Sequence, residues 1–147
     1  RSLKIIAMKK FFSAEPFEPN VGLTLVRMIV GLFLIYHGWE VFNTAKMNEY
    51  LTWDSFKQAA NGKMLVYAGK SAELIAGVLF VLGLFTRVAA VLTIGTLGYI
   101  AFGLGNGVVW YNDQHPFMFV LVAFLFLFTG PGPFSIDAKL FKEKRRY

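Results

Sequence analysis

The sequence predicts an all-α polytopic membrane protein, an antiparallel bundle of four transmembrane helices with short interfacial helices. Two observations carry that expectation. Residues 21–42, 64–85, 88–104 and 117–129 are apolar runs with little polar chain between them, and a helix of about twenty residues crosses the hydrocarbon layer. The composition is 56% apolar and 16% charged, which leaves too little polar surface to cover four such helices in water. The length of 147 residues suits one compact unit.

Taken in order, residues 1–20 form a cytoplasmic or interfacial N-terminal segment. Leu3, Ile5, Ile6, Met8 and Phe12 offer an apolar side, with Lys4, Lys9 and Lys10 able to reach headgroups. Pro16 and Pro19 break this segment before the membrane. The first span places Arg27, Gly31, Leu34 and Gly38 on one helical face, a close-approach surface for a neighbour. In the loop that follows, Thr52 or Asp54 caps a short helix ending at Ala60 and Gly62. Its Tyr50, Trp53 and Phe56 suit either the outer membrane surface or a lid over the bundle.

The second span carries the small residues Gly69, Ala72, Ala76 and Gly77, which permit close packing. Gly83 to Thr86 allows only a tight turn, with Thr86 a fair N-cap for the third span. That span loosens at GLGNG. Asp113 and Pro116 suit the start of the short fourth span, which GPGP terminates. Ser135 then caps an amphipathic piece within a basic cytoplasmic tail, 135–147. No internal repeat is visible.

The net charge of +6 is concentrated at the ends. Arg1, Lys4, Lys9 and Lys10 precede the first span, and Lys139, Lys142, Lys144, Arg145 and Arg146 follow the last. Arg87 marks the turn between spans two and three, whereas residues 106–115 contain neither Lys nor Arg. The positive-inside rule therefore places both termini and the Arg87 turn in the cytoplasm, for a multi-pass membrane protein. Lipid headgroups, not nucleic acid, are the expected partners of the basic tails. No cleavable leader is expected. The absence of cysteine excludes a dithiol relay, a thiolate-ligated iron–sulfur centre and a cysteine nucleophile.

Three ordered pieces run through the chain: LVRMIVGLFLIYHGWEVF, GKSAELIAGVLFVLGLFTRVAAVL and GPGPFSIDA. Together, from Val26 to Ala138, this set resembles the DoxX family of small bacterial four-helix membrane proteins. The matching positions are Arg27, His37, Gly38, Glu73, Gly77, Gly83, Thr86 and Arg87, then Gly130, Pro131, Gly132, Ser135 and Asp137. The resemblance implies an inner-membrane bundle associated with redox complexes, quinone-linked in some members. Two departures stand out. Glu40 and Val41 occur where many relatives carry a lysine, and His115 and Pro116 where many carry a glutamate.

Charged groups inside apolar spans mark the candidate sites, because each must face protein, water or an interface. By helical rise, Arg27 lies about 9 Å into the first span and Glu73 about 13 Å into the second. The expectation is a buried Arg27–Glu73 ion pair. A second cluster, His37, Glu40, Lys70 and Glu73, lies toward the outer face and is the expected polar site for a quinone or lipid. Its apolar walls would come from Leu34, Leu74 and Gly77, with Tyr36, Trp39 and Trp53 at its mouth. His37 and His115 are the only histidines, and without a haem-binding context no metal or haem site is expected. No nicotinamide, flavin or metal motif accompanies these groups, so no autonomous catalytic residue is assigned. Two roles follow: a small accessory or structural subunit of a membrane redox complex, beside other subunits of that complex, or a self-contained quinone- or lipid-binding redox protein. Proton or solute transport ranks below both.

Overall fold

The computed structural model describes residues 2–142, with residues 2–4 described by backbone alone. Lys144, Arg145 and Arg146 of the basic tail lie outside the described residues. The described chain is helical throughout, with no strand among the described residues. Its helices are α1 (Ser2–Phe11), α2 (Pro19–Gly38), α3 (Thr44–Leu51), α4 (Asp54–Lys57), α5 (Gly62–Leu82), α6 (Thr86–Tyr99), α7 (Gln114–Thr129) and α8 (Ile136–Leu140). A 3-10 turn, Trp39–Phe42, prolongs α2, and a π-helical turn, Ile100–Leu104, prolongs α6. Three continuous helices are long and apolar enough to cross a membrane: Pro19–Phe42, Gly62–Leu82 and Thr86–Leu104. Helix α7 is apolar but shorter.

Helix boundaries follow local chemistry. Pro19 opens α2, where its missing N–H removes nothing from the helical ladder. Gly62 opens α5 instead of stopping the preceding helix, and Gly83 closes α5 in the left-handed region at φ 64°. The segment between α2 and α5 holds two short helices. Asn43 caps α3 by accepting a hydrogen bond from Lys46 N at 3.1 Å. Buried Met47, Phe56 and Val66 then pin α3 and α4 to the start of α5.

The most extensive helix packing is α2 on α5, followed by α6 on α7 and then α5 on α6. The α2–α5 contact is made backbone to backbone. A Cβ built on Gly77 would stand 2.7 Å from Gly31 O and from Ile35 N, and one on Gly31 would stand 2.8 Å from Gly77 O. The face containing Arg27, Gly31, Leu34 and Gly38 is the buried face of α2. Across the other interfaces, Phe80 of α5 meets Phe126 of α7 with ring centroids 5.6 Å apart. Ala89, Ala90, Leu97, Val120 and Ala123 complete this core.

The segment after α7 folds back under the α5–α6 turn. Asp137 N donates to Gly83 O at 2.9 Å. Its carboxylate accepts from Phe85 N at 2.7 Å and from Thr86 N at 2.9 Å. Asp137 therefore caps α6 from a distant part of the chain, whereas the Thr86 hydroxyl, the expected cap, is buried without a hydrogen-bond partner among the described residues. Ser135 Oγ accepts from Ala138 N at 3.2 Å and donates to Gly132 O at 2.7 Å, so it caps α8 and ties down the preceding turn. Arg87 Nε donates to Leu127 O at 3.0 Å. The glycine-proline string is a turn with Gly130 at φ 72° and Gly132 at φ 80°.

Candidate functional site

Arg27 and Glu73 do not form the expected pair. Arg27 is 1% exposed, and its Nη2 donates to Phe134 O at 2.6 Å. The guanidinium lies against Gly83, at the end of α5, where a Cβ would collide with it. Glu73 sits ten residues earlier on the same helix, about 15 Å away by helical rise. The cause is side-chain direction. A helical Cα–Cβ bond tilts toward its own N-terminus, so Arg27 reaches back toward the start of α2 and the Asp137 clamp. Glu73, on a helix that starts at the other end, reaches the opposite way.

The second cluster does assemble in part. Lys70 Nζ stands 3.1 Å from Glu40 Oε2 and 3.1 Å from Glu73 Oε2. Glu40 arrives on the 3-10 turn after α2, while Lys70 and Glu73 share one face of α5 at three-residue spacing. Tyr50 of α3 adds a group that the sequence did not reveal: its hydroxyl donates to Glu40 Oε2 at 2.6 Å. Burial first, and then this hydrogen bond to a carboxylate, hold the Tyr50 phenol above the usual tyrosine range. Lys70 Nζ also lies 5.2 Å from the Tyr50 ring centroid, within cation–π range.

His37 stands beside this cluster and turns its ring elsewhere. Its ring centroid lies 5.5 Å from that of Tyr36 and 5.5 Å from that of His115, both edge-on. Contact with His115 ties the end of α2 to the start of α7. Asp113, expected to cap α7, uses its carboxylate on the preceding loop, accepting from Asn106 N at 3.1 Å and Val108 N at 2.9 Å.

A cavity of about 550 Å³ opens beside Lys70 and Glu73. It lies between α5 and α6, not between α2 and α5. Gly69 and Ala72 of α5 and Val91, Gly95 and Thr96 of α6 wall it, with Tyr50, Trp53 and Phe56 over one end and Tyr99 at the side. The aromatic residues after α2 thus form a lid. His37 and Glu40 are not among its lining residues. The expected walls Leu34, Leu74 and Gly77 cannot line a pocket, because that face of α5 is filled. Leu34 is 1% exposed, Gly77 abuts Gly31 and Ile35, and Leu74 abuts Gly38. Small residues pointed to both faces of α5, but a glycine can mark either a tight crossing or an empty groove. Only the position of the neighbouring backbone separates the two.

The cavity is thus an apolar groove between two long apolar helices, with aromatic side chains at one end and one ammonium and one carboxylate at its side. Comparison with known proteins gives the lineage. The DoxX family model matches residues 22–105, which run from α2 through the π-helical turn after α6. The chain belongs to the DoxX family. A protein of Haemophilus influenzae, described only as an uncharacterized protein, is 30% identical over 137 residues, covering 88% of this chain and 97% of that protein. No solved structure matches the chain.

Proposed function

We propose that this chain binds an amphiphile, a quinone or a membrane lipid, in the cavity between α5 and α6. In this reading α2, α5, α6 and the shorter α7 form an antiparallel four-helix transmembrane bundle in the bacterial inner membrane, with both termini cytoplasmic. The cavity carries the proposal: about 550 Å³ of largely apolar space with Lys70 and Glu73 at one side. A tail would lie between the helices and a polar head would meet these two groups under the Tyr50–Trp53–Phe56 lid. The absence of cysteine and of nicotinamide or flavin motifs supports holding a ligand over transforming it unaided. The role proposed is therefore that of a small accessory subunit beside a membrane redox complex.

Mass spectrometry of lipids and quinones retained through purification in a mild detergent tests the binding reading. A stoichiometric amphiphile is expected, and its loss is expected in Gly95→Leu, which fills the cavity from α6. Equal retention by both proteins would overturn it. Because the chain lacks cysteine, Asn112→Cys and Lys139→Cys permit thiol labelling from each side of the membrane. Labelling from opposite sides is expected, and labelling from one side would overturn the four-span topology. Native purification that yields the chain reproducibly alone would overturn the accessory role.

A further inference from the structure

The charged groups of the cavity wall are already matched to each other. Among the described residues Lys70 and Glu73 are the charged ones that line it, and they stand 3.1 Å apart. Lys70 also stands 3.1 Å from Glu40, which lies outside the lining, and 5.2 Å from the Tyr50 ring centroid. Its ammonium therefore has two carboxylates and a ring face as neighbours. The pair is deep. By helical rise Lys70 lies about 12 Å along α5 from Gly62, beneath the Tyr50–Trp53–Phe56 lid. A charged head group brought to that depth would carry an unpaired charge, or would draw Lys70 or Glu73 away from its partner. Either outcome is costly away from water. A hydroxyl or carbonyl head brings no charge and needs only a hydrogen bond.

The rest of the wall suits such a head and shows where it enters. Thr96 and Tyr99 contribute hydroxyls and Trp53 an indole N–H, all uncharged hydrogen-bonding groups. Leu65, Val91 and Tyr99 line the cavity while being 42%, 57% and 49% exposed, so the groove opens sideways between α5 and α6. In the transmembrane reading that side faces lipid, whereas the lid covers the end. We infer that the cavity selects a bilayer-resident amphiphile with an uncharged polar head, a quinone or a long-chain alcohol, over any lipid with a charged head group. The head lies beside the Lys70–Glu73 pair and Thr96, and the chain runs along Gly69, Ala72 and Gly95. This inference rests on the amphiphile reading and narrows it, because a phospholipid no longer qualifies.

Trp53 supplies the signal. In a Trp39→Phe, Trp110→Phe background, quenching of Trp53 would be titrated in a nonionic detergent with a bromoalkyl alcohol, the matching trimethylammonium and the matching sulfate. The alcohol should bind about tenfold more tightly than either charged probe. Lys70→Met leaves the Glu73 carboxylate without its ammonium, and the preference for alcohol over ammonium should then be lost. Lys70→Met with Glu73→Gln removes both charges together and should keep that preference, as should Lys63→Met, an exposed control. Gly95→Leu should weaken all three probes. A charged probe that binds the unaltered pair as tightly as the alcohol would overturn the inference and leave the amphiphile reading standing. Failure of every probe to bind would overturn both. Mass spectrometry of the amphiphile retained from native membranes separates the sources: a quinone or a long-chain alcohol identifies itself by mass, and a stoichiometric phospholipid would overturn the inference.

Discussion

Asp137 caps the helix that begins at Thr86, although 51 residues separate them. The carboxylate accepts from Thr86 N at 2.9 Å and, through its other oxygen, from Phe85 N at 2.7 Å. Helix α6 begins just after Phe85, a non-glycine residue at φ 46°, so its first N–H groups have no local side-chain cap. With Arg27 on Phe134 O and Arg87 on Leu127 O, this contact fastens one end of the molecule.

Removing that carboxylate should therefore loosen α6 without altering the opposite end. Asp137→Ala should lower stability by about 0.5–2 kcal/mol, the range for loss of a helix cap. Asp137→Asn, which keeps one acceptor, should lose less. Thermal unfolding in detergent, alongside the amount of amphiphile retained through purification, checks both parts. A loss of binding without a loss of stability would contradict the clamp.

The α2–α5 crossing should tolerate no added methyl group. Gly77→Ala would push a Cβ to within 2.7 Å of Gly31 O. A loss of about 1–3 kcal/mol is expected from overpacking. Gly98→Ala, where a Cβ meets nothing within 4 Å, should be neutral or slightly stabilising. Unfolding midpoints for the two variants provide the comparison, and equal effects would refute the assigned crossing.

Coupling energies should follow the observed partners. A double-mutant cycle on Lys70 and Glu73 should give an interaction of roughly 0.5–3 kcal/mol, whereas Arg27 and Glu73 should be additive within about 0.5 kcal/mol. Strong coupling between Arg27 and Glu73 would mean that the guanidinium points the other way along α2.

Tyr50 provides a pH signature. Its phenol is held above the usual value by burial and by its hydrogen bond to Glu40. The neutral phenol is the form that the folded protein favours. The stabilisation is complete below the ordinary tyrosine pKa of about 10 and is lost as pH rises through the elevated folded value. In an ultraviolet alkaline titration, one tyrosine should ionise later than an ordinary phenol, and Tyr50→Phe should remove that late component. A late component that survives the substitution would place it on another tyrosine.

The sequence by itself determined that the chain is helical, that it carries long apolar helices, and which face of α2 is buried. It also contained the pattern that places the chain in its family. These features are local: helical period, hydropathy and cap residues act over a few positions. Ser135 as a cap and the glycine-proline turn were legible for the same reason. Tertiary structure decided which charges meet. Arg27 and Glu73 have suitable depths, but the tilt of each Cβ toward its own helix start carries them apart, and depth alone contains no direction. It also decided where the empty space lies. Gly77 and Gly95 are alike in sequence, yet one presses against the α2 backbone and the other faces a groove. The cap on α6 and the Tyr50–Glu40 bond were hidden because their partners come from other helices, and hydrogen-bonding demand at a helix start does not specify which distant residue will meet it.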